Sequence, residues 1–200
     1  MTLFIKNISK SIIALAAVSL IFSSCQKENN SPSPLAVQNE KAVVNPINTR
    51  VINGNYGNPA LGPAAFGTRY VNIYTGAQDS VGAVAYNLRL TSTNNGTIAP
   101  KSGYTFKYLV TTTALGSISA ANYATATTVT SWGQNTSTTS TPNGWWNYNS
   151  TTHVASPVAN MVLFVNDGAN TYAFKATAIA GQGGATSNRA VYTFQSGIVN

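Results

Sequence analysis

Met161-Val162-Leu163-Phe164-Val165 leads through Asn166-Asp167-Gly168 into Thr171-Tyr172-Ala173-Phe174-Lys175-Ala176-Thr177. Two apolar, β-branched and aromatic segments here flank a turn, and Asp-Gly tolerates the positive φ that hairpin turns require. The stretch therefore predicts a pair of antiparallel strands. Downstream, Ala190-Val191-Tyr192-Thr193-Phe194 reads as the last strand. Upstream, Tyr104 to Val110 alternates with period two and sets Tyr104, Phe106 and Tyr108 on one face. Arg69 to Tyr74 and Ala83 to Leu90 complete the set, the first ending at Thr75-Gly76 and the second at Asn94-Asn95-Gly96. Ala114 to Ala126 carries a weak helical period, but so Thr-rich a segment reads as strand or loop. The fold class is mostly β, an antiparallel sandwich or open barrel spanning residues 68–200.

Composition agrees with sheet and narrows the chemistry. Charged residues make up 8% of the 200-residue chain, against roughly 25% in an average soluble domain. Thr, Ser, Asn, Gly and Ala take their place, residues suited to pleated sheet and turns. The only acidic residues are Glu28, Glu40, Asp79 and Asp167, and His153 is the single histidine. No carboxylate cluster for a divalent cation and no Cys/His set for zinc can be assembled from these. The chain is not expected to be an enzyme. The formal charge is +7, yet from Thr68 onward the six basic residues stand singly, with no stripe that would track phosphates. Nucleic acid is not an expected partner.

The first 24 residues read as a targeting segment. Lys6 and Lys10 precede an apolar run from Ile12 to Phe22, of signal-peptide length and too short to favour a spanning helix. Phe22-Ser23-Ser24-Cys25 resembles a bacterial lipobox, with Phe22 where an aliphatic residue is usual. It implies cleavage before Cys25, the only cysteine, and covalent lipid on its thiol. Two or three acyl chains anchor stably. The expected location is the outer membrane, on its periplasmic or outer face. Residues 25–67 read as a flexible tether rich in Pro, Asn and Ser, within which Ala42-Val43-Val44 and Arg50-Val51-Ile52 have the makings of short edge strands.

Several short motifs then recur in a familiar order. Tyr70-Val71-Asn72-Ile73-Tyr74-Thr75-Gly76 is followed by Ala85-Tyr86-Asn87-Leu88-Arg89-Leu90 and its Asn-Gly turn. Then come Gly144-Trp145-Trp146-Asn147-Tyr148, Thr152-His153, Pro157, Val162 to Val165, Asp167-Gly168, Tyr172 to Lys175 and Tyr192-Thr193-Phe194. Together with the lipobox this series resembles the HmuY-like haem-carrier lipoproteins. The resemblance implies an all-β domain, haem as ligand and delivery to a haem-uptake transporter. It also implies two axial histidines, which a chain with one histidine cannot supply. Asn149 and Ser150 stand where one ligand is expected, and residues 115–141 contain neither His nor Met. The candidate contacts are therefore His153, Tyr148, Trp145, Trp146 and Met161. Tyr123 is a weaker ligand for iron, and Trp132 a further ring to stack on a flat group. Each also has a plainer reading: His153 in a surface turn, Met161 and the aromatics in the core. The alternative function is a non-haem surface lipoprotein that recognises a glycan or a protein through Trp145 and Trp146.

Overall fold

The structure, a computed structural model, describes residues 46–200. The expected signal segment, Cys25 and the Ala42–Val44 strand lie outside the described residues. Within them the fold is mostly β, in antiparallel sheets that do not close into a barrel. No described helix is long and apolar enough to cross a membrane.

The strands are β1 (Asn48–Asn53), β2 (Arg69–Val71), β3 (Gln78–Asp79), β4 (Leu88–Thr91), β5 (Thr97–Pro100), β6 (Thr105–Val110), β7 (Thr127–Thr128), β8 (Trp146–Asn149), β9 (Val154–Pro157), β10 (Met161–Asn166), β11 (Thr171–Gly184) and β12 (Ser187–Val199). One sheet has the order β1-β12-β11-β10-β6-β7, a second β3-β2-β4-β5, and β8 pairs with β9 alone. Gly168 takes φ 94° in the β10–β11 turn, where Asp167 Oδ1 accepts the N–H groups of Ala169 and Asn170.

The apolar run of β10 is buried on both faces. Met161, Leu163 and Val165 join the main core, which takes Ile52, Phe106, Phe174 and Phe194 from the large sheet and Val71, Leu88, Leu90 and Ile98 from the small one. Val162 and Phe164 point the other way, into a second cluster with Leu115, Ile118, Ala126 and Ala173. An unbroken hydrophobic strand is the signature of such two-sided burial. Ser196, fully buried on β12, donates its hydroxyl to Ile73 O at 2.7 Å and ties the two sheets together.

Three expectations change. The flexible tether does not reach residue 67: β1 pairs along its whole length with β12, and Ile52 and Phe66 are buried. The edge strand foreseen at Arg50-Val51-Ile52 is the reason, since a strand needs only one partner and one inward side chain to be held. Residues 115–126 are helical rather than strand or loop, a 3-10 turn at Leu115–Ser117 followed by α1 (Ala120–Thr125). Ser119 begins that helix, its N–H donating to Asn122 Oδ1 at 2.9 Å, and the segment lies against the outer face of β10. Finally, the segments Arg69–Tyr74 and Ala83–Leu90 are shorter strands than expected. Asn72 Oδ1 accepts the N–H groups of Tyr74 and Thr75, and the Asp79 carboxylate accepts those of Val81, Gly82 and Val84. Backbone donors drawn to a side chain are lost to the ladder.

Candidate functional site

Two hairpins project past the sheets and face each other across a slot of about 1170 Å³. The volume is somewhat above the range usual for small-ligand sites, ~300–1,000 Å³.

One wall is β8–β9. Strand alternation puts Trp146 and Tyr148 on a single face, and the register places Pro157 and Ala155 opposite them. In the turn between the strands, Asn149 Oδ1 accepts the N–H groups of Thr151 and Thr152. His153 then takes a left-handed conformation, φ 55°. Its Nδ1 lies 2.9 Å from the Tyr148 hydroxyl, while Nε2 has no partner among the described residues. His153 is exposed and Tyr148 is 45% exposed, so the pair stands at the rim.

The opposite wall is the far half of β11–β12. Beyond Thr177, β11 pairs only with β12. The register Ile179↔Tyr192, Gly181↔Ala190 and Gly183↔Asn188 turns these six residues to the inner face. Two glycines and an alanine leave most of that wall as bare backbone. Gln182 and Arg189 border the slot but point outward. There the Arg189 Nε and Nη2 donate to Gln182 Oε1 at 3.0 and 2.8 Å, and the guanidinium lies over the Tyr56 ring.

The floor is the loop from Ser92 to Thr97, whose Ser92, Asn94 and Asn95 all have positive φ. Asn95 holds this shape: it is fully buried, accepts the Asn55 N–H at 2.6 Å and donates to Gly67 O and Leu90 O. Tyr192 donates its hydroxyl to Asn94 O at 2.7 Å, and burial pushes its pKa upward. The two tryptophans converge on one atom of the floor. Trp145 Nε1 and Trp146 Nε1 donate to Gly96 O at 2.9 and 2.8 Å. A Cβ on Gly96 would lie 3.0 Å from the Trp146 ring, so any larger residue there would have to push the ring aside.

The structure thus brings Trp146, Tyr148 and His153 together and separates the other candidates. Trp145 is 2% exposed and packs against Tyr192 and Phe194 beneath the floor. Met161 lies in the core and borders a separate, smaller cavity beside Lys175. Trp132 stacks on Tyr108, ring centroids 4.3 Å apart. Tyr123 packs edge-on against Phe164 with Lys107 over its ring, and burial raises its pKa. The sequence reading missed Asn94, Asn188 and the glycine wall. Asn94 was visible only as part of a turn, and nothing in the glycine- and alanine-rich run after Ala176 signals a strand.

No acidic residue lines the slot. Among the described residues no three His, Cys, Asp or Glu side chains gather as a metal site. The chemistry on offer is therefore one imidazole with a free Nε2, a phenol that orients it, and a space between aromatic rings and bare backbone. An axial imidazole oriented by its second nitrogen is a recognised means of holding haem iron. A comparison with protein-family models, curated proteins and solved structures finds no match in any of the three.

Proposed function

We propose that the chain is an exported lipoprotein of HmuY-like type, anchored to the outer membrane through lipid on Cys25, whose slot takes haem or a related porphyrin for delivery to an uptake system. The observation that carries this reading is the pairing of an aromatic wall with a glycine wall, with His153 at the rim and its Nε2 unbonded. A planar, largely apolar ligand fits between two such surfaces. One protein nitrogen then holds the iron, where the resembled family has two. The Tyr148 hydroxyl, 2.9 Å from Nδ1, orients the ring, and where it accepts the Nδ1–H the Nε2 lone pair is the one left to ligate. Binding rather than catalysis is the reading, because no carboxylate lines the slot and the one titratable pair there, Tyr148 and His153, stands exposed at the rim.

Titration of the mature chain, residues 25–200 with Cys25→Ser, with haemin is the test. The expected result is a saturable Soret shift at one haemin per chain, altered in position by His153→Ala. Absence of a saturable shift at micromolar protein overturns the proposal.

A further inference from the structure

The chain enters the fold at the end of the large sheet farthest from the slot. Asn48, the first residue of β1, pairs with Ser196 near the close of β12 at Val199. The slot takes its β11 and β12 residues from Ile179 to Tyr192, at the other end of the same two strands. Residues 26–47, 22 in all, separate Cys25 from Asn48, and a coil of that length averages roughly 25 Å end to end. β11 alone, with 14 residues, is about 45 Å long. Lipid on Cys25 would therefore hold the entry end nearer the bilayer than the slot.

The entry end carries side chains suited to that position. Tyr172, paired with Ile198, meets the Tyr74 ring at 5.7 Å between centroids. Lys101 Nζ lies over the rings of Tyr86 and Tyr104, 5.2 and 5.7 Å from their centroids. Tyr104 precedes Thr105, whose partner Asn166 opens the β10–β11 turn. All four rings are half-buried. The hydroxyls of Tyr74, Tyr86 and Tyr104 make no hydrogen bond among the described residues and are not buried, so they face solvent. Asp167 beside them already accepts two backbone N–H groups and the Tyr172 hydroxyl. Rings sunk in an apolar body with hydroxyls in water suit a membrane–water interface, where a lysine sets its ammonium among the headgroups.

We infer that this tyrosine- and lysine-bearing end rests on the bilayer that holds the anchor, with the slot at the end away from it. The inference depends on the lipid proposed for Cys25 and on no property of the slot's ligand.

Ala169 in the β10–β11 turn and Thr186 in the β11–β12 turn are exposed and mark the two ends of β11. Cys25 is the only cysteine, so once it is lipidated an introduced thiol is the one that labels. The full lipidated chain carrying Ala169→Cys or Thr186→Cys, labelled with bimane, is placed in vesicles of phosphatidylethanolamine and phosphatidylglycerol containing a headgroup nitroxide quencher. Strong quenching is expected at 169 and none at 186. Lys101→Glu should lower the docked-to-free ratio about fivefold, the worth of one lysine near an anionic surface. Tyr86→Ser should lower it in the same direction, and thermal unfolding confirms that each variant folds. Equal quenching at both sites, or quenching at 169 that survives both substitutions, overturns the inference while the anchor stands. A label site at 169 that is shielded in detergent, where only a second copy can cover it, overturns it as well. A chain that gains no lipid mass at Cys25 overturns the inference and the anchor together.

Discussion

Gly181→Leu separates the role of the glycine wall from the stability of the hairpin. Gly181 lies on the inner face of β11 opposite Ala190, and a Cβ built there meets no atom within 4 Å. Its backbone is not in the left-handed region, so a larger residue brings no conformational strain. Glycine inside a strand is destabilising by roughly 0.5–1 kcal/mol relative to alanine. The fold is therefore expected to gain slightly or stay level. The isobutyl group projects instead into the slot that Trp146 and Tyr148 also line. Forcing a well-packed interface to accommodate such a group costs about 1–3 kcal/mol. At about 1.4 kcal/mol per decade, haemin affinity should fall roughly 5- to 150-fold. Quenching of tryptophan fluorescence by haemin measures the binding, and thermal unfolding measures the fold. Ala178→Leu, on the exposed outer side of the same strand, is the control and should change neither. Unchanged binding by Gly181→Leu would refute the assignment of β11–β12 as a ligand wall. Loss of the folded state would show that the glycine serves the hairpin itself.

Three further outcomes concern the scaffold under the slot. Asn95→Ala removes one acceptor and two donors from a fully buried site and should lower stability by about 3 kcal/mol. In thermal unfolding that is roughly 6–12 °C for a domain of this size. Trp145→Phe leaves Trp146 alone on Gly96 O and should cost about 1 kcal/mol, while Trp145→Ala should cost about 3–5 kcal/mol by opening a cavity. The pH profile should have two limbs. Desolvation alone would raise the Asp79 and Asp167 carboxyls, but N–H donors from Val84, Gly82, Val81 and Ala83 at Asp79, and from Asn170 and Ala169 at Asp167, hold both below their usual value. The unfolded chain then takes up protons first as pH drops, so their stabilisation is complete above about pH 4 and is lost below it. Burial raises the Tyr192 phenol, so its stabilisation is complete below about pH 10 and declines as pH climbs past that value. Denaturant midpoints from pH 2 to 11 read both limbs, and Tyr192→Phe should flatten the alkaline one.

How much of this was legible in the sequence follows from which side chains carry the pattern. The β10–β11 hairpin was, because five consecutive apolar residues and an Asp-Gly turn leave little choice of structure. The aromatic wall was half legible: the cluster at Trp145-Trp146-Asn147-Tyr148 drew attention, and His153 with it. Adjacent residues on an extended chain face opposite ways, yet which tryptophan turns inward depends on register with a partner strand. The structure sends Trp145 to the core and Trp146 to the slot. The second wall was not legible, since β11 runs on from Thr177 to Gly184 through residues whose strand propensity is low. Pairing with β12, itself held by β1, imposes the extended form there. Tertiary pairing overrides local preference in such a segment. The helix at Ala120–Thr125 escaped for a similar reason: its apolar face is supplied mostly by what precedes it, Leu115 and Ile118.

The two tryptophans also explain how a slot between projecting hairpins can be preorganised. An isolated two-stranded hairpin such as β8–β9 is marginal in water. Here Trp146 N–H reaches the same carbonyl that receives Trp145 N–H, so the hairpin that bears the aromatic wall is bonded to the floor at the point where the floor is bonded to the core. Asn95 fixes that floor from beneath, and Tyr192 O–H joins it to the second hairpin through Asn94 O. Both walls and the floor are thus connected by five hydrogen bonds, two of them from Trp145 and Tyr192, which are themselves packed in the core. A ligand entering such a slot loses its own freedom but requires little ordering of the protein, which is where much of the free energy of association is otherwise spent. The exposed pair Tyr148 and His153 lies beyond this braced region, at the hairpin tip. On the porphyrin reading proposed above, that division of labour would place recognition of shape in the rigid part and leave the imidazole of His153 where it could adjust to the ligand.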